Sequence, residues 1–514
     1  MGKLIQNERI KLYRKVSTWV LTGIVIALNL FVMLMTKFSM SSFMEHYEYQ
    51  ADWNEQYTSI IRDMKQICEG DPNETGAYYT AQWLQYLKDR RIPPEDWRTD
   101  VAWEYYYWQE EAQQGQADDE VYYTSFSDYS YYGQMPTLPT LNSPEDRQTR
   151  IDQLDRLLES SDWRTYLQQQ IAFLDSGAIT MVEDEKTVSR EIYQMYLDME
   201  IEPISLSMSA FMDRDGSGVW KNTQMNQLKQ YKMNVLRGED DNGNILTRSQ
   251  KVLLEREIEV SLERLRTDTK PLDAMWEKDS PFVSLMDQSV SFVSLLTMVM
   301  IVTAGGIIAS EFSSGTIKLL LITPHRRKKI FWAKALILLE LTLIEIAALF
   351  LISFLFSGLL TGFEGLGAGQ VLYIFGAARH MPYLLYIAYK YLLNMIPVLV
   401  YAALALMLSA VTRRSAVAIA VSLVLMYAGE IIVGIVASLS AMMGFELPGL
   451  EFLLFSNVDL TNYLSGSSSL MGMMSTTGIT AGLTSLGFSL AVLLAYFVCF
   501  LWIARDSFCR RDVK

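Results

Sequence analysis

The chain has 514 residues, of which half are hydrophobic and only 20% are charged. The hydrophobic residues collect in residues 17–36 and after residue 281, which predicts a membrane protein with a soluble insert. Residues 37–280 carry 46 acidic and 25 basic side chains, so the insert is strongly acidic and the remainder modestly basic. This charge balance argues against nucleic acid as a partner, because phosphate binding needs clustered Lys and Arg on an accessible domain.

Cysteine and histidine usage bears on two further classes of site. Cys68 is the single cysteine of the insert, so the insert has no disulfide of its own. His46, His325 and His380 lie far apart and lack HExxH or CxxC spacing, so we expect no zinc centre and no other bound metal. A Ser-His or paired-carboxylate constellation is also missing from the sequence pattern, which argues against an enzyme.

Six stretches are long and apolar enough to cross a membrane, which takes about 20 residues. They are residues 17–36, 282–309, about 335–360, 383–411, 415–438 and 481–504. The first exceeds the roughly 7–15 residues of a signal-peptide core and is followed by no convincing A-x-A site. We therefore interpret it as a retained anchor.

The placement of lysine and arginine predicts the orientation of these spans. Basic residues cluster in the N-terminal stretch, after the second span, after the fourth span and in the tail: Lys3, Arg9, Lys11, Arg14, Lys15, then Arg326, Arg327, Lys328, Lys329, then Arg413, Arg414, then Arg505, Arg510, Arg511 and Lys514. With six spans all four clusters fall on one side, which the positive-inside rule makes cytoplasmic. We expect a plasma-membrane protein with both termini inside and residues 37–281 outside.

The insert is expected to be mostly α-helical. Residues 145–175 and 247–268 have apolar residues at helical spacing, and the first stretch has Ser143 as a cap and Pro144 at the first position. Tyrosine-rich stretches at 103–110 and 121–133 are open to two interpretations: they pack the domain or lie near headgroups, or they form a recognition surface.

Two segments of the insert resemble calcium-binding loops. Asp213, Asp215, Ser217 and Gly218 fit the first positions of an EF-hand, but Gln224 stands where a bidentate Glu is needed. The segment around Asp240, Asn242, Gly243 and Ile245 begins at Gly238 and has Ser249 at its last position. We expect turns at both places.

The short segment between the second and third spans, SEFSSGTIKLLLITPHRRKKIFWAK, carries the most specific pattern of the chain. Its basic run fits simple anchoring at a membrane lipid surface. The whole pattern, however, resembles the E-x(3)-GT-x(7)-P-x-[RK]…K signature of type 2 ATP-binding cassette (ABC) transporter permeases. The matching residues are Glu311, Gly315, Thr316, Pro324, Arg326 or Arg327, and Lys334.

This resemblance implies that the segment is a coupling loop that docks on a separate cytoplasmic ATPase. Residues 1–16 would then be the family's amphipathic connecting helix. The expected ATPase interface comprises Glu311, Gly315, Thr316, Ile317, Leu320, Pro324, Arg326, Arg327 and Lys334. The chain has no G-x(4)-GK[ST] phosphate loop, so ATP and Mg would be bound by the partner and no cofactor by this chain. A second copy, or a related permease, would complete the transporter.

Four ionisable residues fall inside the predicted spans, where charge is costly and usually faces protein or water: Glu340, Glu345, Lys390 and Glu430. Helix rise places Glu340 near mid-membrane and the other three in the outer half. We predict that Lys390 pairs with Glu345 or Glu430, while Glu340 lies nearer a translocation path or a dimer contact. Residues 361–380 and 440–480 are expected to form short outer helices that dip into the membrane.

The predicted fold is an all-α polytopic membrane protein with a mostly helical extracytoplasmic domain between its first and second spans. The expected parts are a connecting helix (1–16), span one (17–36), the outer domain (37–281), span two (282–309), the coupling loop (310–334), spans three to six with outer re-entrant segments (335–504) and a cytoplasmic tail (505–514). The expected function is export of a peptide, lipid or hydrophobic antibiotic. The alternative is a membrane-anchored binding or sensing protein that uses the acidic outer domain.

Overall fold

The fold was analysed from a computed structural model of the whole chain. It describes residues 2–47, 53–70, 75–114, 140–205, 217–240, 243, 245–271, 281–314, 326–363, 365–374, 376–442, 449–464 and 484–510. The described chain is mostly helical and divides into two compact units, a bundle unit (Met1–Ser41 and Gly238–Lys514) and an inserted unit (Ser42–Arg237).

The elements follow one another as helices with two short antiparallel strand pairs. In chain order they are α1 Gly2–Tyr13, α2 Val16–Tyr47, α3 Trp53–Gly70, α4 Thr75–Asp89, α5 Arg98–Gln114, β1 Thr140–Leu141, α6 Pro144–Leu158, α7 Trp163–Asp175, β2 Ile179–Thr180, α8 Glu183–Asp198, α9 Ser217–Arg237, α10 Arg248–Arg266, α11 Pro281–Val290, α12 Val293–Ile307, α13 Ala309–Ser313, α14 Arg327–Thr361, β3 Gly369–Ile374, β4 Ala377–Pro382, α15 Tyr383–Thr412, α16 Ser415–Met442 and α17 Leu486–Arg510.

Six of these helical segments are long and apolar enough to cross a membrane, as the sequence predicts. We call them span 1 (α2), span 2 (α11–α13), span 3 (α14), span 4 (α15), span 5 (α16) and span 6 (α17). Spans 2 and 4 are largely buried by the other helices, whereas spans 5 and 6 expose most of their apolar surface. Spans 2 and 4 therefore form the centre of the bundle.

Spans 1 and 3 lie side by side and run in the same direction. The amide of Asn29 donates to the hydroxyl of Ser353 at 2.7 Å, and Thr22 donates to Glu345 at the same distance. Seven residues separate the two positions on span 1 and eight separate those on span 3. Because both helices advance about 1.5 Å per residue, this nearly constant offset requires a parallel pair. One span must then cross back between them, and span 2 does so.

Spans 2 and 4 form a second parallel pair through hydrogen bonds along their whole length. Near their first residues, the hydroxyl of Tyr383 donates to the carbonyl of Val283 at 3.1 Å. Near their last residues, the backbone N–H of Ala309 donates to Ser409 at 3.0 Å. The two pairs have the same sequence separation, so the helices keep one register from end to end.

The segment before span 4 is a β-hairpin, which corrects the expectation of helices at 361–380. Strands β3 and β4 pair antiparallel with Gly369 opposite Pro382 and Ile374 opposite Ala377. Gly376, at φ +84°, supplies the left-handed backbone that the turn requires. The guanidinium of Arg256 on α10 lies 5.5 Å from the ring centre of Tyr373 on β3. Of residues 440–480, the described part contains the end of α16 and three short 3₁₀ helices, Leu450–Phe452, Leu454–Asn457 and Leu460–Tyr463.

The inserted unit is built from helices whose boundaries follow local sequence rules. Predicted helix 145–175 is two helices, α6 and α7, with a break at residues 159–162. Ser143 caps α6 by accepting the backbone N–H of Asp146 at 3.1 Å, and Asp162 caps α7. In the bundle unit, α10 confirms the predicted helix at 247–268, and Thr247 and Gln250 form its capping box.

Aromatic rings of residues 103–110 pack the core of the inserted unit. Trp103 and Trp108 are buried, and Tyr105, Tyr106 and Tyr107 pack partly buried against the same cluster. These rings therefore pack the domain, and the buried Trp103 and Trp108 cannot contact an external ligand. The second tyrosine-rich stretch, 121–133, lies outside the described residues.

Of the two calcium-like segments, the second is largely described and the aspartates of the first are not. Around the second, the backbone N–H of Gly243 donates to the carbonyl of Asp240 at 3.0 Å, and Glu239 pairs with Ile245 as an isolated bridge. That geometry is the predicted turn. Asp213 and Asp215 of the first segment fall outside the described residues, which resume at Ser217, the first residue of α9.

We expect cross-linking to confirm the parallel register of spans 1 and 3. With Cys68, Cys499 and Cys509 replaced by Ser, Asn29→Cys combined with Ser353→Cys should form a disulfide on mild oxidation, because the native side chains are in contact. Thr22→Cys combined with Ser353→Cys is the control, since its sites are displaced by about 10 Å along the helices. Equal cross-linking of the two pairs, read by a gel shift after cleavage between residues 29 and 353, would contradict this register.

Candidate functional site

The candidate site lies where α1 meets the end of span 2 and the beginning of span 3. Helix α1 packs Leu12 into the hydrophobic core of the bundle, with Leu4 and Ile5 partly buried beside it. The helix ends at Tyr13, and a two-residue break at 14 and 15 separates it from span 1. This arrangement brings the polar residues of α1 against span 3.

Two carboxylates and two ammonium groups form a compact cluster at this junction. The Lys334 ammonium of span 3 donates to Glu8 of α1 at 2.7 Å and to Glu311 of span 2 at 2.8 Å. Lys11 donates to the other oxygen of Glu8 at 3.0 Å and lies 3.6 Å from Glu311. We call Glu8, Lys11, Glu311 and Lys334 the ion cluster.

Two members of the ion cluster are buried, so their charge pairing matters for the stability of the fold. The side chains of Lys334 and Glu8 are only 1% and 5% exposed, whereas that of Lys11 is 57% exposed. A buried charge is tolerated only when opposite charges and hydrogen bonds replace the lost water. Lys334 obtains both from two different elements, so its position depends on α1 and span 2 together.

The electrostatics of Glu8 agree with this geometry. Burial by itself would raise the pKa of the Glu8 carboxyl, but attraction to Lys334 and hydrogen bonds from Lys334 and Lys11 lower that pKa below its ordinary value. The stabilisation is therefore complete above the ordinary carboxyl pKa, and it is lost as pH falls through the lowered value.

A second contact fixes α1 along span 3. Arg9 donates to Glu340 at 2.9 Å, and the hydroxyl of Tyr13 donates to the other oxygen of Glu340 at 2.9 Å. Burial and the nearby Glu340 carboxylate raise the pKa of Tyr13 to about 12, so its hydroxyl keeps its proton at neutral pH. Within this chain Glu340 therefore binds α1, and its place near a pathway or a dimer contact stays a prediction.

The length of span 3 explains how Glu340 can contact α1. Its 35 residues span about 52 Å, whereas the hydrocarbon core is about 30 Å thick. Part of the helix must therefore extend beyond the core, and α1 lies against the end that begins at Arg327. Glu340 lies 13 residues after Arg327, close enough to that end to reach α1.

The predicted coupling residues are only partly within the described chain. Glu311 and Lys334, at the two ends of the loop, are joined directly, and Arg326 and Arg327 begin span 3. The other predicted interface residues lie outside the described residues: Gly315, Thr316, Ile317, Leu320 and Pro324. The structure thus brings the first and last residues of the loop motif together.

The predicted partner of Lys390 was wrong. Its ammonium donates to Asp287 of span 2 at 2.5 Å, and neither Glu345 nor Glu430 accepts it. Asp287 and Lys390 lie only two turns from the first residues of spans 2 and 4, and their side chains keep 23% and 17% exposure. Parallel packing of these two spans brings the opposite charges to the same level.

The other two intramembrane carboxylates have different neighbours. Glu345 is 1% exposed and accepts the hydroxyl of Thr22 on span 1 at 2.7 Å. Glu430 of span 5 lies beside Tyr401 of span 4. Each therefore links a peripheral span to a neighbouring helix.

The helix ends on the α1 side also bring the predicted basic clusters together. Ser507 of span 6 donates to the carbonyl of Ala410 on span 4 at 3.3 Å, and the Arg413 guanidinium lies 4.8 Å from the ring centre of Phe312. Because α1 and the loop ends meet at the same junction, one end of the bundle carries residues 2–15, 326–329, 413–414 and 505–510. We call it the basic end.

The sequence carried a signal for the residues that were missed. Glu8 is the one acidic residue among residues 1–36, in a stretch rich in Lys and Arg, and it stands one turn from Lys11. A lone carboxylate in such a setting requires a specific explanation. Asp287 carried a comparable signal because it is an ionisable residue six positions inside span 2.

Comparisons with known proteins match about half of the chain. The family model described as "Protein of unknown function (DUF2705)" matches residues 274–514. The chain is 33% identical over 232 residues to "Uncharacterized protein YhcI" of Bacillus subtilis (strain 168), covering 45% of this chain and 68% of that protein. It is 30% identical over 236 residues to "Uncharacterized membrane protein YdbK" of the same organism, covering 46% of this chain and 85% of that protein. No solved structure matches.

Replacing Lys334 with Met should destabilise the bundle unit strongly. The substitution removes the buried counterion that Glu8 and Glu311 share and leaves them only the exposed Lys11, which costs about 3–5 kcal/mol for a buried pair. We expect a lower melting temperature of the detergent-purified chain and a smaller monodisperse fraction in size-exclusion chromatography.

Two controls distinguish this charge effect from general damage to span 3. Lys329→Met removes an exposed ammonium from the same helix and should leave the melting temperature nearly unchanged. Adding Glu8→Gln to Lys334→Met removes one of the two stranded charges and should recover part of the loss. A Lys334→Met chain as stable as the Lys329→Met chain would show that the ion cluster contributes nothing.

Replacing Lys390 with Met should impair folding less severely, by roughly 1–3 kcal/mol, because Asp287 retains some contact with solvent. We expect a lower yield of folded chain, measured by fluorescence-detected size-exclusion chromatography. Adding Asp287→Asn should restore the yield, whereas adding Glu345→Gln or Glu430→Gln should not. Rescue by Glu345→Gln or Glu430→Gln instead would contradict the Asp287 pairing.

Proposed function

This chain belongs to the DUF2705 family of proteins of unknown function, and we propose that it is the permease subunit of an ATP-binding cassette transporter. In this proposal a separate cytoplasmic ATPase subunit binds ATP and Mg and docks on the coupling loop. A second copy of the chain, or a related permease, completes the transporter. The cargo class is a peptide, a lipid or a hydrophobic antibiotic, and the direction is export.

The ion cluster is the observation that supports this proposal most directly. Glu311 and Lys334 are the first and last residues of the loop motif, and they are 2.8 Å apart. Glu8 ties α1 to the same point, so both ends of the loop and the N-terminal helix form one rigid junction. A force applied to the loop would therefore reach span 2, span 3 and α1 at once.

Span 3 and span 1 extend this junction across the bundle. Span 3 is a continuous helix of 35 residues, and its hydrogen bonds to Thr22 and Asn29 hold span 1 alongside it. A closing movement of two ATPase subunits can be transmitted through such packed helices as a rigid-body shift. The chain's own part in transport is thus mechanical: it converts loop displacement into movement of paired spans.

Orientation belongs to the same proposal. If the basic end faces the cytoplasm, as the positive-inside rule requires, both termini are inside and residues 37–281 form an extracytoplasmic domain between the first two spans. The parallel pairing of spans 1 and 3 supports this topology, because a segment that leaves span 1 and returns through span 2 begins and ends on one side. The acidic domain would then attract cationic peptides electrostatically.

The decisive experiment asks whether an ATPase subunit co-purifies with the chain. We expect mass spectrometry of the complex, purified from native membranes in mild detergent, to identify an ATP-binding cassette ATPase. Gly315→Pro alone and Glu311→Ala with Gly315→Pro should each reduce its recovery about tenfold or more, which corresponds to losing one or two good contacts. Glu255→Ala is the matched control because it removes an exposed carboxylate from α10.

Folding must be followed in parallel, since Glu311 belongs to the ion cluster. A Gly315→Pro chain that elutes as the unmodified chain does but retains no ATPase would assign the docking site to the loop. An intact complex that never contains an ATPase, or loop variants that retain it fully, would reject the permease proposal. The binding or sensing function of the acidic domain would then be preferred.

A further inference from the structure

We propose that the basic end holds an anionic phospholipid headgroup in a specific site between the start of span 3 and the end of span 6. The residues concerned are Lys328 and Arg505, with Trp332 and Trp502 below them. This site rests on the chain spanning a membrane and is independent of any ATPase. It goes beyond general anchoring because its cations come from two helices that the fold brings together.

The convergence of the two helices is shown by a contact between two aromatic rings. Phe331 of span 3 and Phe508 of span 6 are buried with ring centres 6.3 Å apart. Lys328 lies one turn before Phe331 on span 3, and Arg505 lies one turn before Phe508 on span 6. Residues nearly 180 positions apart in sequence thus place their positive charges around one point.

Lys328 is exposed and Arg505 is partly exposed. Neither Lys328 nor Arg505 makes an ion pair within the part of the chain that the structure describes, and the nearby Asp506 is paired with Arg510 at 2.8 Å. The first turn of span 3 adds the positive end of a 35-residue helix. The site therefore suits a phosphate group, which offers several acceptor oxygens and a negative charge.

The surface below the cations favours a lipid over a free anion or an acidic protein. On span 3, Lys328 is followed one turn later by Trp332, which is 42% exposed. On span 6, Arg505 is preceded one turn earlier by Trp502, which is 65% exposed. Exposed apolar side chains continue both stripes along the helices: Leu336, Leu339 and Leu343 on span 3, and Val498 and Leu494 on span 6.

This succession matches the succession of groups in a phospholipid. The cations lie at headgroup level, tryptophan occupies the interfacial level that it prefers, and leucine and valine continue where acyl chains run. An acidic protein surface would satisfy the cations but would have no use for two aligned apolar stripes. The occupant we infer is an anionic phospholipid such as phosphatidylglycerol in the leaflet at the basic end.

The test uses the full chain in neutral detergent with fluorescent phosphatidylglycerol, and phosphatidylcholine of the same chain length for comparison. Lys328→Gln with Arg505→Gln should weaken phosphatidylglycerol binding about tenfold or more, because each basic group near a membrane surface contributes substantially to anionic-lipid affinity. Lys329→Gln with Arg414→Gln is the matched control, since it removes the same charge from exposed positions of the same end. The control should change the affinity less than about twofold.

Several outcomes would overturn the inference. Equal weakening in both double variants would show a general surface-charge effect, and equal affinity for the two lipids would show ordinary annular lipid. Full competition by inorganic phosphate would identify a free-anion site. Unchanged lipid affinity together with loss of a co-purified subunit in Lys328→Gln with Arg505→Gln would assign the surface to a protein partner. Because the lipid measurement contains no ATPase, its result is independent of the permease proposal.

Discussion

The structure of the basic end depends on one ammonium group that is shared by two carboxylates. Lys334 is buried, so water cannot stabilise its charge, and Glu8 and Glu311 must both be in place to do so. These carboxylates belong to α1 and to the end of span 2, which are more than 300 residues apart in sequence. A single electrostatic requirement therefore specifies how the N-terminus, span 2 and span 3 assemble, since any other arrangement leaves a buried charge uncompensated.

The pairing of Lys334 also affects the position of span 1, because span 1 follows α1 directly in the chain. Only a two-residue break separates α1 from span 1, so positioning α1 on span 3 also sets the height at which span 1 begins. Thr22 and Asn29 then meet Glu345 and Ser353 at a constant offset. Polar contacts of this kind specify register well in a lipid environment, because apolar side chains pack acceptably in several registers whereas an unmatched polar group does not.

The sequence predicted the features that depend on local composition and missed those that depend on which helices become neighbours. The six spans and the cap at Ser143 follow from apolar length and side-chain hydrogen bonding, and the structure agrees. The partner of Lys390 could not be predicted, because Asp287 becomes its neighbour only through the parallel packing of spans 2 and 4. The hairpin before span 4 was missed because its apolar strand, Gly369–Ile374, lies in a Gly-rich stretch that also fits short helices.

Acidic residues at the basic end divide its cations into two groups with different roles. Glu8, Glu311 and Glu340 engage Lys11, Lys334 and Arg9, and these pairs hold helices together. Lys328 and Arg505 have no such partner within the described residues, although they lie on neighbouring helices in the same region. The positive-inside rule counts all these residues alike, but the first group is compensated within the fold, whereas the second group can attract an external anion. Where carboxylates are placed among the basic residues thus decides which cations stabilise the fold and which remain available for recognition.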